Sequence, residues 1–330
     1  MISWKRFGSV LVGLFLSAVF LLLAFRNVDL KGVAEVFSKA SFGSTAFLTI
    51  LMVFEIFVRA IRWWILLGKK VSVGTLFQLE MIGLGLNNVL PLRLGEIGRA
   101  YLLAKMTGTS TFYTLSTVGV ERVLDSITVL FLFGVCSRGM AGSFVPLVYQ
   151  RLSVVLLGAL GVLLLGLIYR GEWLGKVLQK SGSSRVFSLG QKFQHLLSGA
   201  SVLRSPVVLA GVLLLSLGVW LLDGTVYFWA GKAVGLENIL SYSRTLVMLA
   251  FVAAAGILPA VPGYFGTYEF MIREVLSRWG VPPAVGVGYA GFVHITAYVV
   301  VTGLGMIFLY RAGYSLSGIW GAAQESKTEK

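Results

Sequence analysis

Apolar residues run through this chain in long blocks, with polar residues confined to short gaps between them. Six blocks, at 8–25, 45–67, 114–135, 153–169, 206–230 and 284–310, have about the length an α-helix needs to cross a bilayer core. Two further apolar runs behave differently. Leu76 to Leu90 stops at Leu90-Pro91, and Arg244 to Leu258 stops at Leu258-Pro259. Each is followed by a glycine-bearing break and a short segment with a glutamate, Gly95-Glu96 in the first case and Gly266-Thr267-Tyr268-Glu269 in the second. Broken backbone at membrane depth is tolerated only where protein or a wet cavity satisfies the freed groups. The two stretches, 73–106 and 243–279, therefore read as re-entrant helical hairpins. The predicted fold is all-α: a polytopic membrane protein of about six full transmembrane helices plus two re-entrant hairpins.

The gaps refine this. The first block resembles a signal peptide, but Arg26-Asn27-Val28-Asp29 follows it where a small-residue cleavage site would stand, so it reads as an uncleaved first helix. Asp29, Lys31, Glu35 and Lys39 mark a polar link. The stretch 170–205 holds six Lys/Arg and one Glu, with Gly182-Ser183-Ser184 at its centre; it reads as a basic cytoplasmic linker with a surface helix around 189–197. It separates a first half, 45–169, from a second, 206–311, within one integral-membrane domain, 1–330.

Positive charge orients the chain. With both hairpins re-entrant, the inner gaps carry 16 Lys/Arg against 9 outside; with only the first re-entrant, 15 against 10; with every apolar run crossing, 14 against 11 at best. The positive-inside rule favours the first arrangement, with both termini cytoplasmic in a cytoplasmic membrane. The order of motifs in the two halves supports it too. One hairpin then enters from each side, which is an inverted-topology repeat of the kind many transporters use.

Composition agrees. Hydrophobic residues make up 57% and charged residues 13% of the 330, and mean hydropathy is +0.85, far from the ~25% charge of soluble domains. The net charge of +14 reads as positive-inside bias and affinity for anionic headgroups, not as a nucleic-acid surface. Cys136 is the single cysteine, and the two histidines, His195 and His294, are far apart in sequence, so neither a disulfide nor a metal site is expected. No P-loop is present, and no ATPase or other cofactor is expected.

Against that background the charges inside apolar blocks stand out, since each costs ~2.5–3.5 kcal/mol to insert. Glu55, Arg59 and Arg62 share a helical face; Arg62 is near enough to Lys69 and Lys70 to snorkel, and Glu55 is expected to pair with Arg59. Glu121 and Asp125 share a face and need a cation between them, for which Arg93, Arg99 and Arg122 are the candidates. Arg99 can also meet Glu96, three residues earlier. Two readings of these charges stand side by side, an internal salt-bridged packing contact and a substrate site.

The runs Asn88-Val89-Leu90-Pro91-Leu92-Arg93-Leu94-Gly95-Glu96-Ile97-Gly98-Arg99-Ala100, Glu121-Arg122-Val123-Leu124-Asp125 and Pro262-Gly263-Tyr264-Phe265-Gly266-Thr267-Tyr268-Glu269 resemble the lysylphosphatidylglycerol synthase transmembrane (flippase-like) family. The resemblance extends over about residues 14–310. Members more often carry Pro-Gly-Gly-Leu-Gly in the last motif; here Tyr264 and Phe265 fill its third and fourth places. No aminoacyl-transferase domain is expected in this sequence, so the similarity is to stand-alone members. The resemblance implies translocation of a lipid or lipid-linked glycan. Arg93, Arg99 and Arg122 would then hold a phosphate. Glu96, Glu121, Asp125 and Glu269 would orient the arginines or contact amines or hydroxyls. Asn87 and Asn88 would satisfy the unwound backbone, and Pro262, Gly263 and Gly266 would shape the second break. The expected partners are lipids with anionic headgroups, with a second copy or a lipid-modifying enzyme as further candidates. The alternative function is an integral-membrane transferase, or a subunit of one, acting on a lipid-linked substrate.

Overall fold

In the computed structural model of this protein, residues 4–90, 94–140, 145–179, 199–256 and 261–315 are described, without the side chains of 4–12 and 170–179. The described residues form eleven α-helices and no strand. They are α1 (Trp4–Phe25), α2 (Leu30–Lys39), α3 (Phe42–Leu66), α4 (Val73–Val89), α5 (Leu94–Thr107), α6 (Thr111–Cys136), α7 (Leu147–Gln179), α8 (Pro206–Ala233), α9 (Tyr242–Ala255), α10 (Thr267–Ser277) and α11 (Pro283–Arg311). Short 3-10 turns at Arg138–Met140, Ser201–Arg204 and Pro262–Tyr264 join some of them.

Local chemistry fixes the helix starts. Ser41, Ser72 and Ser241 cap α3, α4 and α9, each side chain accepting a backbone N–H three residues on. Proline at the first helical position opens α8 and α11, where its missing N–H costs no hydrogen bond.

Four helices, α3, α8, α11 and the 147–169 part of α7, are long and apolar enough to span a membrane. Two of the expected spans are more complicated. α6 has 26 residues but carries Glu121, Arg122 and Asp125 in its first half. α1 turns through 86° into α2, and the pair together has the length and apolarity of a span. The 26–43 gap, expected to be a polar link, holds α2, capped by Asp29. Its charges are exposed, while Val36 is buried, abutting Gly288 of α11, and Phe37 meets Phe292 edge-on. The surface charge masked a helical apolar stripe.

Both expected helix–break–helix units are present. α4 (17 residues) and α5 (14) pack on each other, as do α9 (14) and α10 (11). At 1.5 Å per residue each arm is about 17–25 Å long, short of a ~30 Å hydrocarbon core. The linker's centre and the expected 189–197 surface helix lie outside the described residues, and α7 runs on to Gln179, beyond the expected end of its span at 169.

Each unit has its own apolar core. One gathers Trp63, Leu76, Ile82, Leu102 and Leu124 around α4–α5. The other gathers Val247, Met248, Ile272, Leu276 and Tyr289 around α9–α10. α3 lies along α8, and α11 along α4. The last crossing is close because two glycines meet: a Cβ on Gly85 would stand 3.4 Å from the Gly305 Cα and 3.2 Å from the Val301 carbonyl oxygen. Outward faces are apolar, with Val155 and Val162 of α7 67% and 72% exposed.

Candidate functional site

A buried ion network sits where α3, α4, α5 and α6 meet. Glu121 and Asp125 do need a cation between them, and the residue that supplies it is Arg62. Its side chain is fully buried. Nη1 donates to Asp125 Oδ1 at 2.6 Å and to Ser216 Oγ at 3.1 Å, and Nη2 donates to Glu121 Oε1 at 3.4 Å. The expectation that Arg62 snorkels toward Lys69 and Lys70 is thus overturned: two carboxylates inside the protein outcompete the interface. Arg99 donates to Glu121 Oε2 at 2.8 Å and pairs with Glu80, and its guanidinium lies 4.5 Å from the centre of the Trp63 ring. The partner three residues away, Glu96, turns instead toward Arg122. Glu80, the further carboxylate of the network, lies inside an apolar run and is not among the residues that the sequence points to.

Beside this network lies a cavity of about 810 Å³ between the two helix–break–helix units. Its wall is mixed: Glu55, Arg59, Glu96, Arg122, Asp125 and Asp223 line it together with Val129, Leu130, Leu156, Leu160, Ala250 and Ala254. Asn87, Asn88, Tyr264, His294 and Tyr298 also contribute.

The cations on this wall differ in how firmly they are held. Arg59 pairs with Glu55, as expected, and its Nη1 stands 3.7 Å from Asp125 Oδ2. Arg122 is looser. It reaches Asp125 at 3.5 Å and Glu96 at 3.8 Å, its side chain is 37% exposed, and its Nε has no hydrogen-bond partner among the described residues. Asp223, midway along α8, makes no ion pair or hydrogen bond with any described residue.

The breaks are built by a few specific contacts. Asn87 Oδ1 accepts the Gly95 N–H at 2.9 Å, so its amide does satisfy backbone freed by the first break. Gly95 itself has no room for a Cβ against the Gly83 carbonyl and Asn87. Asn88 instead ties the break to α11, its Nδ2 donating to Thr302 Oγ1 at 2.9 Å. In the second break Gly263 and Gly266 take φ of 76° and 90°, a region costly for side-chain-bearing residues. Glu269 is buried; its Oε2 accepts the Gly266 N–H at 2.7 Å and its Oε1 lies 2.6 Å from His294 Nδ1.

Of the sequence-derived candidates, Asn87, Asn88, Glu96, Arg122 and Asp125 share the cavity wall. Arg99 and Glu121 stand behind it, their polar atoms directed at each other, Glu80 and Arg62. Pro262, Gly263 and Gly266 form the second break, and Glu269 reaches the cavity through His294. Arg93 lies outside the described residues. Glu55, Arg59, Asp223 and His294 join the wall although they are not among those candidates. Each carries one legible signal, a polar side chain inside an apolar span.

The chain is 26% identical over 275 residues to a UPF0104 membrane protein of Methanothermobacter thermautotrophicus, covering 76% of this chain and 78% of that one. It is 24% identical over 312 residues to a UPF0104 membrane protein of Methanocaldococcus jannaschii, covering 89% and 92%. No solved structure matches. Residues 10–305 match the family described as Lysylphosphatidylglycerol synthase TM region, which links the chain to a membrane, lipid-related role. With the three motifs in its sequence and the broken helices among its described residues, the chain belongs to the Lysylphosphatidylglycerol synthase TM region family.

Proposed function

We propose that this protein carries a phosphate-bearing lipid between leaflets through the cavity, with α4–α5 and α9–α10 re-entering the membrane from opposite sides as an inverted repeat. The observation that carries the reading is the mixed lining of one cavity, to which acidic and basic side chains from α3, α5, α6 and α8 and apolar ones from α6, α7 and α9 all contribute. An amphiphile needs both surfaces at once. In this reading the termini and the 170–205 linker face the cytoplasm.

Arg122 is the side chain best placed to meet the phosphate. Its contacts at 3.5 and 3.8 Å are long, and such half-exposed pairs are worth about 0–1 kcal/mol, so a phosphate oxygen exchanges for them at little cost. Arg99 has no such freedom, being held by Glu80, Glu121 and Trp63. Asp223 and Glu96 remain to take hydroxyl or amine groups of the head.

The test is lipid movement in liposomes, with a fluorescent anionic lipid and a membrane-impermeant quencher. Quenching should proceed past the outer-leaflet share only with protein present. Arg122→Gln, matched for incorporation and thermal stability, should slow it about tenfold, equivalent to ~1.4 kcal/mol of lost charge-assisted contact. Rates equal to protein-free liposomes for anionic, zwitterionic and glycan-linked lipids would refute the proposal. The transferase alternative has one observation in its favour, a His294–Glu269 pair on the cavity with the geometry of an oriented base. Mass spectrometry of the recovered lipid separates the two, since transport leaves its mass unchanged.

A further inference from the structure

His294 stands on α11 at the cavity, and a histidine is the side chain whose ordinary ionisation falls near neutral pH. It is 8% exposed and held on several sides by the second break. Phe265 stacks on it with centroids 4.7 Å apart, and the Tyr268 ring centre is 4.4 Å away. Its Nδ1 lies 2.6 Å from Glu269 Oε1, while Glu269 Oε2 accepts the Gly266 N–H at 2.7 Å. One carboxylate therefore joins the imidazole to the residue that opens α10, and that residue has a φ of 90°. With the Nδ1 proton directed at Glu269, the lone pair left over is that of Nε2, and no described residue donates to it.

We infer that the His294–Glu269 pair is a proton-binding site whose occupancy sets the geometry of the 262–266 break. A proton from the aqueous cavity adds to Nε2 of the neutral ring, Nδ1–H stays on Oε1, and the pair passes from one negative charge to none. The contact becomes an imidazolium–carboxylate bond, which is stronger. The carboxylate then gives less of its charge to the Gly266 N–H, and the cap on α10 loosens. Apart from Glu269, the titratable and charged groups that touch the ring or share its cavity are Tyr268 on α10, Tyr264 in the break, Tyr298 on α11, Tyr227 and Asp223 on α8, Glu55 and Arg59 on α3, Arg122 and Asp125 on α6, and Glu96 on α5. Tyr227 and Tyr268 are bonded to each other at 2.6 Å. Glu80 of α4 is turned to Arg99, and Glu35 and Lys39 of α2 are exposed on the surface. The role this site would have in moving lipid rests on the proposed function; its existence does not.

The chain's two histidines make the test direct. Full-length protein with 15N-labelled histidine, in phosphatidylglycerol–phosphatidylcholine nanodiscs, is titrated from about pH 5 to about pH 8, with His195→Gln assigning the rings. The His294 Nε2 signal should pass from the neutral to the charged position while Nδ1 keeps its hydrogen-bonded proton. Hydrogen exchange over 262–269, corrected for the intrinsic rate, should rise several-fold on the acid side with the same midpoint. Glu269→Gln, which keeps an acceptor for Gly266 but removes the carboxylate that joins the ring to it, should leave exchange over 262–269 without a step. A ring that stays in one state, an exchange profile without a step, or a step that persists in Glu269→Gln would each overturn the inference. The exchange profile is read on the unmodified chain, and only the ring assignment uses a variant, His195→Gln. Lipid movement is measured separately: a titrating ring with stepped exchange in a protein that moves no lipid would remove the transport reading and leave the proton site.

Discussion

Arg62→Met removes a fully buried guanidinium while keeping much of the apolar volume of the side chain. Three contacts go with it, to Asp125 at 2.6 Å, Ser216 at 3.1 Å and Glu121 at 3.4 Å. Breaking a buried ion pair from one side costs ~3–5 kcal/mol, because the remaining charge stays buried and uncompensated. Here the compensation is partial. Glu121 keeps Arg99 at 2.8 Å, and Asp125 keeps Arg122 at 3.5 Å and Arg59 at 3.7 Å. The cost should therefore fall near the lower bound, about 3 kcal/mol. At roughly 2–3 °C per kcal/mol for a chain of this size, the melting temperature in detergent should drop on the order of 6–9 °C. Arg122→Gln is the contrast. Its side chain is 37% exposed and its ion contacts are long, so the loss should stay below about 1 kcal/mol. Adding Asp125→Asn to Arg62→Met should recover about 1 kcal/mol, since the orphaned charge is removed as well. The assay is thermal unfolding of purified variants in one detergent, followed by intrinsic tryptophan fluorescence. Equal melting temperatures for Arg62→Met and Arg122→Gln would refute the division between a structural network and an exchangeable cavity cation. Strict additivity in the double variant would refute the orphaned-charge account.

Two further predictions concern the breaks. With Cys136→Ser as background, single cysteines at positions 71 and 108 should both label from the cytoplasmic side; labelling from opposite faces would show that α4–α5 crosses the membrane and would remove the inverted repeat. Gly266→Ala should lower stability by ~2–3 kcal/mol, because φ is 90° and the added Cβ would lie 2.5 Å from the Ser17 carbonyl oxygen of α1, so an unchanged melting temperature would show that the break is not packed on α1.

The sequence alone determined the class of protein, most of its helices and the two places where helices break. Apolar blocks of spanning length have few alternatives in a membrane, Leu90-Pro91 stops a helix by local geometry, and Gly266, at a φ of 90°, opens the next one in the second break. It also marked most of the charges that matter, since each of Glu55, Arg59, Arg62, Glu121, Arg122, Asp125 and Asp223 interrupts an apolar stretch, but it passed over Glu80, the partner of Arg99. Spacing fixed pairing within a helix, as for Glu55 with Arg59, and between helices it gave a short set of candidates, of which Arg99 does reach Glu121 at 2.8 Å.

Tertiary structure decided everything that depends on which faces meet. Arg62 stands close in sequence to Lys69 and Lys70, yet packing of α3 against α6 and α8 takes it to Asp125, 63 residues away, and to Ser216, 154 away. Arg99 turns to Glu80 because α5 folds back on α4 through Gly83 and Gly95, and that fold-back puts Arg99 behind the cavity wall and leaves Arg122 on it. His294 acquires its partner from another helix, Glu269 of α10, 25 residues earlier. In each case several partners are compatible with the sequence, and the choice among them is made by burial, which strands any charge that does not find a counter-charge within about 4 Å.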